Sequence, residues 1–206
     1  EYVIKSVLTQ IEQWLALGHE LQISVNIAPR HFLSPAFVPS LREMTRPYKN
    51  MLVGKKLLEI EIIETQKVLD LSIVSTIMND CANMGIGFSL DDVGTGYSSL
   101  LYLKELSAET IKIDQSFVAG MACNRHDLFL VQAILGLARA FRRHVIAEGV
   151  ETLEQARMLV EMGCSNVQGF GVARPMTADR FEQWCQEWKE QTCPRLLQAG
   201  LAFPGV

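Results

Sequence analysis

Six short apolar runs separated by helical stretches constrain this chain more than any other feature. Leu21–Ile27, Leu57–Ile63, Ile86–Asp91, Thr110–Asp114, His144–Ala147 and Asn166–Gly171 each read as a strand. The first helix shows Ile4, Val7, Leu8, Ile11, Trp14 and Leu15 at helical spacing, stopped by Gly18. Further helices are expected from Pro29 to about Met44, over Gln66–Met84, Leu100–Leu106, Leu128–Phe141, Leu153–Met162 and Ala178–Lys189, with Pro47–Gly54 as loop. Parallel strands need crossover connections, and helices supply them. No glycine-rich nucleotide turn follows the first strand, so a (β/α) barrel fits better than an open doubly wound sheet. Such barrels typically take about 250 residues. At 206 residues without a starting Met, the chain is expected to be one domain that lacks its N-terminal strand, with a loosely held tail over roughly 190–206.

The strands carry charges that a doubly buried parallel strand should not. Glu59 and Glu61 alternate with Leu58, Ile60 and Ile62; Asp91 follows Leu90; Lys112 and Asp114 alternate with Ile111 and Ile113; Ser24 and Asn26 flank Val25. Alternation places Glu59, Glu61, Asp91, Lys112, Asp114 and Asn26 on the barrel interior. Charges buried there need partners, a metal or water. One expected solution is an internal salt-bridge network of Lys112 with Asp114 and Glu59. Several polar residues also fall late in their strands, where barrel enzymes hold their catalytic groups. Asn26 and Asp91 close theirs, Glu61 is near the end of its own, Glu148 follows Val145-Ile146-Ala147, and Gln168 lies in the sixth strand. Glu61, Asp91, Asp92 and Glu148 outnumber the one lysine, and an excess of carboxylates at one mouth suits divalent cations.

Composition removes other classes. Net charge is -4 with no basic run, so duplex nucleic acid is not an expected partner. The five cysteines are scattered and form no CxxC, which fits reduced thiols and not a zinc site or disulfide frame. The longest apolar stretch, Leu128–Ala138, is interrupted by Gln132 and too short to span a bilayer. A cytoplasmic location follows, including as the cytoplasmic part of a membrane-anchored protein.

The segment Leu90-Asp91-Asp92-Val93-Gly94-Thr95-Gly96-Tyr97-Ser98-Ser99 sets two carboxylates at a strand end before a glycine-rich loop. Read alone, it is either a mobile loop over a metal site or an Asp-Gly turn with a helix cap from Ser98 or Ser99.

Taken together, the segments resemble a known family. Ser24–Ile27, Leu58–Glu64 (LEIEIIE), Leu90–Leu100 (LDDVGTGYSSL), Ile111–Val118 (IKIDQSFV), Val145–Thr152 (VIAEGVET) and Val167–Pro175 (VQGFGVARP) are similar, in order and spacing, to EAL-type cyclic-di-GMP phosphodiesterase domains. The resemblance implies a modified TIM barrel that hydrolyses cyclic-di-GMP to linear pGpG with two Mg²⁺ or Mn²⁺ ions. It implies metal ligation by Asn26, Glu61, Asp91, Asp92 and Glu148. Lys112 would sit beside the attacking water, with Glu148 or Asp92 taking its proton. Gln168 and Glu151 would lie near the substrate, Asp114 belongs to a matched segment, and Glu64 would steady the loop after Asp92. A homodimer and a fused sensory or GGDEF module upstream are also implied.

Three departures stand out. The strand with the Glu-Ala-Leu signature, a metal-ligating glutamate and a following phosphate-binding arginine is not in the sequence, so the chain as given is expected to hydrolyse poorly. The family's Thr before the loop glutamate is Ile63, and the Phe of the DDFGTG loop is Val93. Two other readings remain. One is an inactive EAL domain that acts as a cyclic-di-GMP sensor or protein-interaction module. The other is an enolase-type metal-dependent lyase or racemase with Lys112 as carbon-acid base.

Overall fold

The computed structural model describes residues 1–63, 70–95 and 99–192. It divides into two compact units, Glu1–Ile111 and Lys112–Val206. The expected α/β class is the one observed, with parallel strands neighbouring one another in chain order within each unit.

The first unit contains α1 (Tyr2–Ala16), β1 (Ile23–Asn26), α2 (Pro29–Phe32), α3 (Phe37–Thr45), a 3-10 turn (Arg46–Tyr48) and α4 (Lys49–Leu52). It continues with β2 (Leu58–Ile63), α5 (Leu71–Ala82), β3 (Ile86–Val93), α6 (Ser99–Glu105) and the start of β4 (Thr110–Ile113). One face of its strands is apolar and packs on helices. Val25, Ile60, Ile62, Phe88 and Leu90 are buried there. Phe32 meets Phe88 edge-on at 6.1 Å and Phe37 at 5.3 Å between ring centroids. Ile4, Leu8 and Ile11 of α1, Leu41 of α3 and Val74, Met78 and Cys81 of α5 complete this core. Each such side chain contributes about 1.5–3 kcal/mol by leaving water.

The opposite face is polar and still closed. Glu59 is buried, and its carboxylate accepts hydrogen bonds from the Ser24 hydroxyl at 2.9 Å and the Thr110 hydroxyl at 3.0 Å. This corrects the expected salt-bridge network: two neighbouring hydroxyls satisfy Glu59, and Asp114 is used elsewhere.

The second unit holds the end of β4, then α7 (Gln115–Gly120), α8 (Arg125–Ala140), β5 (His144–Ala147), α9 (Leu153–Glu161), β6 (Asn166–Val167) and α10 (Ala178–Glu187), which runs into a π-helical turn (Trp188–Thr192). Val131, Ile134, Leu135 and Ala138 of α8 and Leu159 of α9 are its buried helical stripes.

Several boundaries differ from expectation. The helical region after Pro29 breaks between α2 and α3, where Pro35 disfavours helical backbone at Ser34. Pro47–Gly54 is not loop: Pro47 lies within the 3-10 turn, where its missing N–H is harmless, and the buried Leu52 anchors α4. The helix after β2 is described only from Leu71, capped by Asp70, whose carboxyl the Ser72 hydroxyl and amide hold below its usual pKa. β3 runs past Asp91 through Asp92 and Val93. Asp114 is not a strand residue but the N-cap of α7, a helix that went unpredicted. α8 begins at Arg125 because the Asn124 side chain caps it. β6 is only two residues long, so Gln168 follows it.

Among the described residues, four cysteines are free thiols and no helix is long and apolar enough to cross a membrane. Burial, with Asp80 adjacent, pushes the Cys81 thiol up to about 12, and burial pushes Cys164 up to about 11, so both are unreactive at neutral pH.

Thr110→Val keeps side-chain volume while removing one of the two hydroxyl donors to Glu59. It is expected to cost about 1–3 kcal/mol. The urea midpoint should fall while the slope m stays constant; an unchanged midpoint would show that Glu59 does not depend on this bond.

Candidate active site

The first unit lines up polar residues along strand ends. Register pairs Ser24 with Glu59, Asn26 with Glu61, Glu61 with Ser89 and Ile63 with Asp91. Residues in one row of a parallel sheet share a face. Asn26, Glu61 and Asp91 therefore stand on the same face as Glu59, at the C-terminal ends of β1, β2 and β3. Glu61 is buried, whereas Asn26 is exposed.

Asp91 and Asp92 would normally point to opposite faces. They do not, because Asp92 has φ 54°, a left-handed backbone that Asp tolerates better than most residues. An oxygen of each carboxylate lies within 4.8 Å of the other. The Asp92 amide donates to the Asp91 carboxylate at 3.1 Å, and the Thr95 hydroxyl donates to the Asp92 carbonyl at 2.9 Å. One cation that binds each oxygen at about 2.0–2.6 Å fits between such donors. The carboxylate oxygens of Asp91 and Asp92 are hard donors of the kind that divalent cations take.

The second unit builds a second polar group. Lys112, on β4, has a side chain 5% exposed, and its ammonium lies 2.6 Å from the Glu148 carboxylate, itself 16% exposed. Glu148 is fixed through its amide, which donates to the Ile113 carbonyl at 3.1 Å. Beyond it the chain turns at Gly149, φ 68°, where a Cβ would lie 2.5 Å from that of Gln115. The loop after β6 packs backbone to backbone on the loop after β5. The Val150 amide donates to the Gln168 carbonyl at 3.0 Å, and the Gly171 amide to the Val150 carbonyl at 2.9 Å. A Cβ on Gly169 would lie 2.2 Å from the Val150 carbonyl oxygen, so only glycine fits. These contacts set Glu148, Glu151 and Gln168 on one braced surface.

Gln155 was not among the expected site residues. Its buried side chain accepts from the Glu151 amide at 2.9 Å and the Thr152 amide at 3.0 Å, and completes a capping box with Thr152. The Thr-x-x-Gln spacing before an apolar run was the available signal. Asp114 accepts from the Ser116 amide at 3.0 Å as a helix cap. Glu64, with Gly96, Tyr97 and Ser98 of the loop, lies outside the described residues, as does the tail from residue 193.

A family model for the EAL domain matches residues 1–175. The chain belongs to the EAL domain family. It is 37% identical over 182 residues to the bifunctional diguanylate cyclase/cyclic di-GMP phosphodiesterase MucR of Pseudomonas aeruginosa, covering 88% of this chain and 26% of MucR. It is 32% identical over 184 residues to the cyclic di-GMP phosphodiesterase PA2567 of the same organism, covering 89% of this chain and 31% of that protein. The chain thus spans about a quarter to a third of these curated relatives. Among solved structures, the PaMucR phosphodiesterase in complex with c-di-GMP superposes with a TM-score of 0.80 at 36% identity, over 87% of this chain and 72% of that one. The EAL domain of Mycobacterium smegmatis DcpA gives 0.82 at 31% identity, over 90% and 83%. The fold is accordingly the modified (β/α)-barrel type of this family.

The Asp91–Asp92 pair yields a prediction with opposite signs. In chelator, Asp91→Asn relieves repulsion between neighbouring carboxylates and should leave stability equal or raise it by about 1 kcal/mol. With Mn²⁺ in large excess the unsubstituted protein should gain about 2.7 kcal/mol at a hundredfold over Kd, a gain the variant loses. Thermal melts with and without metal read both effects. Equal metal-induced gains in the two proteins would remove Asp91 from the ligand set.

Proposed function

We propose that this chain is a cyclic-di-GMP phosphodiesterase domain that cleaves one phosphodiester of the ring and releases linear pGpG. The reading rests chiefly on the buried Lys112–Glu148 pair at 2.6 Å, set at the end of β4 and just beyond β5 in a chain of the EAL family. The names of MucR and PA2567 and the c-di-GMP complex of PaMucR support the substrate.

In the proposed mechanism, Asn26, Glu61, Asp91, Asp92 and Glu148 are the residues that would hold two divalent cations, Mg²⁺ or Mn²⁺. Divalent cations held there would lower the pKa of a bound water and offset charge on the phosphoryl oxygens. The Lys112 ammonium donates a hydrogen bond to the water and stabilises the extra negative charge as the P–O bond forms. Glu148, or Asp92, accepts the water proton, which passes to the departing ribose 3′ oxygen as the opposite P–O bond breaks. Gln168 and Glu151, on the braced loops, orient the dinucleotide, and Glu64 steadies the loop after Asp92. Asp114 caps α7, the helix that follows β4. The proposal includes a homodimer, a sensory or GGDEF module in the same polypeptide and a cytoplasmic setting; the greater length of the relatives supports the further module.

Product chromatography on the full-length protein tests the reading. Cyclic-di-GMP should be converted to pGpG with Mg²⁺ or Mn²⁺ and not with chelator. Lys112→Ala and Glu61→Ala should each lower kcat by about 10²–10³-fold or more. Tight binding of cyclic-di-GMP without pGpG under either metal would establish the sensor reading and withdraw the catalytic roles of Lys112 and Glu148.

A further inference from the structure

A basic cavity in the first unit is separate from the residues discussed above. α3, the 3-10 turn and α4 follow one another without a break, so Arg42, Arg46 and Lys49, four and three residues apart, fall on one side. They face Asp80 and Asn83 at the end of α5. With Thr45 and Met84 these residues line a cavity of about 230 Å³.

Its charge is unbalanced. Among the described residues, Arg42, Lys49 and Asp80 form no ion pair, and Arg46 meets only Glu43, at 3.4 Å with both side chains largely exposed. Such exposed pairs contribute little. Three cations against one carboxylate leave two positive charges around the cavity, in a chain whose net charge is -4. Arg42, Arg46 and Lys49 are exposed, so in the free protein water solvates them, and an anionic ligand in the cavity would take its place. The floor is already satisfied: the Thr45 hydroxyl donates to the Leu41 carbonyl at 2.9 Å and contacts the Met84 sulfur at 3.7 Å. The groups left to meet a ligand are two guanidiniums, an ammonium and the Asn83 amide.

We propose that this cavity binds the phosphate group of a small phosphorylated molecule. A phosphate monoester carries about -1.5 to -2 charge at pH 7, which matches the uncompensated charge. Guanidinium forks pair with phosphate oxygens bidentately, and lysine adds a point charge. Pockets for drug-sized ligands run to about 300–1,000 Å³. At about 230 Å³ the cavity is below that range, so it takes one phosphate with a small body and not a whole cyclic dinucleotide. Free phosphate and the phosphate of a mononucleotide share this chemistry.

The test is an NMR titration of the protein at near-physiological salt with chelator present, which silences metal-dependent binding. The probes are inorganic phosphate, GMP and guanosine, and the readouts are the Met84 and Thr45 methyl groups and the Asn83 side-chain amide. Saturable shifts of these signals are expected with phosphate and GMP and not with guanosine. Arg42→Gln and Lys49→Gln should each weaken binding at least fivefold, and together abolish it. Both positions are exposed, so a matching circular dichroism spectrum and melting temperature will confirm that the variants remain folded. GMP binding more tightly than phosphate assigns the site to nucleotides; equal affinities assign it to phosphate itself. No saturable shift at these groups, or unchanged affinity in the double variant, overturns the proposal. Because catalysis is silenced throughout, this result is independent of whether the domain hydrolyses cyclic-di-GMP.

Discussion

Glu59 sits in the middle of a parallel sheet, where an unpaired carboxylate would be prohibitive. Its two oxygens are taken by Ser24 on β1 and Thr110 on β4, so a single side chain ties its own strand to two others. That bond pattern also fixes register. A slip of β2 by one residue would turn Glu59 into the apolar helix layer and Ile60 onto the polar face. With register held, Glu61 is placed one pleat further along the same face, beside Asn26 and in the row of Ser89. The two glutamates are chemically alike and two residues apart. Distance from the strand end separates them: Glu59 is enclosed by hydroxyls and serves the fold, and Glu61 lies nearer the C-terminal end of β2, where the metal site is proposed.

The second unit solves the same problem with a salt bridge. A buried ion pair contributes little net stability and becomes costly when one partner is removed. The Lys112–Glu148 pair is therefore accounted for better by the proposed hydrolysis than by folding. That proposed role needs the two groups held in fixed geometry, and the backbone supplies it. Gly149 and Gly169 let the chain pass close to Gln115 and Val150, and Gln155 ties down the amides of Glu151 and Thr152. Three otherwise unremarkable positions thus act as supports for the polar ones.

The strand–helix alternation and its polar interruptions were legible from sequence because both rest on periodicity. Leu58–Ile63 alternates in burial chemistry as its letters alternate, and β2, β3 and β5 lie close to where the pattern put them. What periodicity missed was decided by single side chains or by tertiary contact. Asp114 looked like the end of a strand because it continues the alternation of Ile111-Lys112-Ile113; its side chain instead bonds Ser116 and starts a helix. The apolar letters after Asn166 suggested a longer strand than β6. Gly169 and Gly171 divert that backbone onto the preceding loop, a contact between segments about twenty residues apart. The partner of Lys112 was unreadable for a similar reason: Asp114 is nearer in sequence, but residues two apart on a strand are about 6.6 Å apart along it.

Asp92 shows how local strain and chemistry meet. Extended backbone through β3 would send neighbouring aspartates to opposite faces, one of them into the helix layer. The left-handed turn at Asp92 brings both carboxylates to the same side, at a conformational cost on the order of 1–3 kcal/mol. Two features hold it there. Thr95 closes the turn onto the Asp92 carbonyl, and Val93 is buried immediately behind it. Where the resemblance implies Phe, Val93 is still buried, so the smaller side chain anchors the end of β3. Ile63, in the row of Asp91, likewise sets a hydrocarbon where the resemblance implies a threonine hydroxyl. Both departures lie next to the aspartates and not among them. They leave the oxygen donors in place and change only the apolar groups beside them.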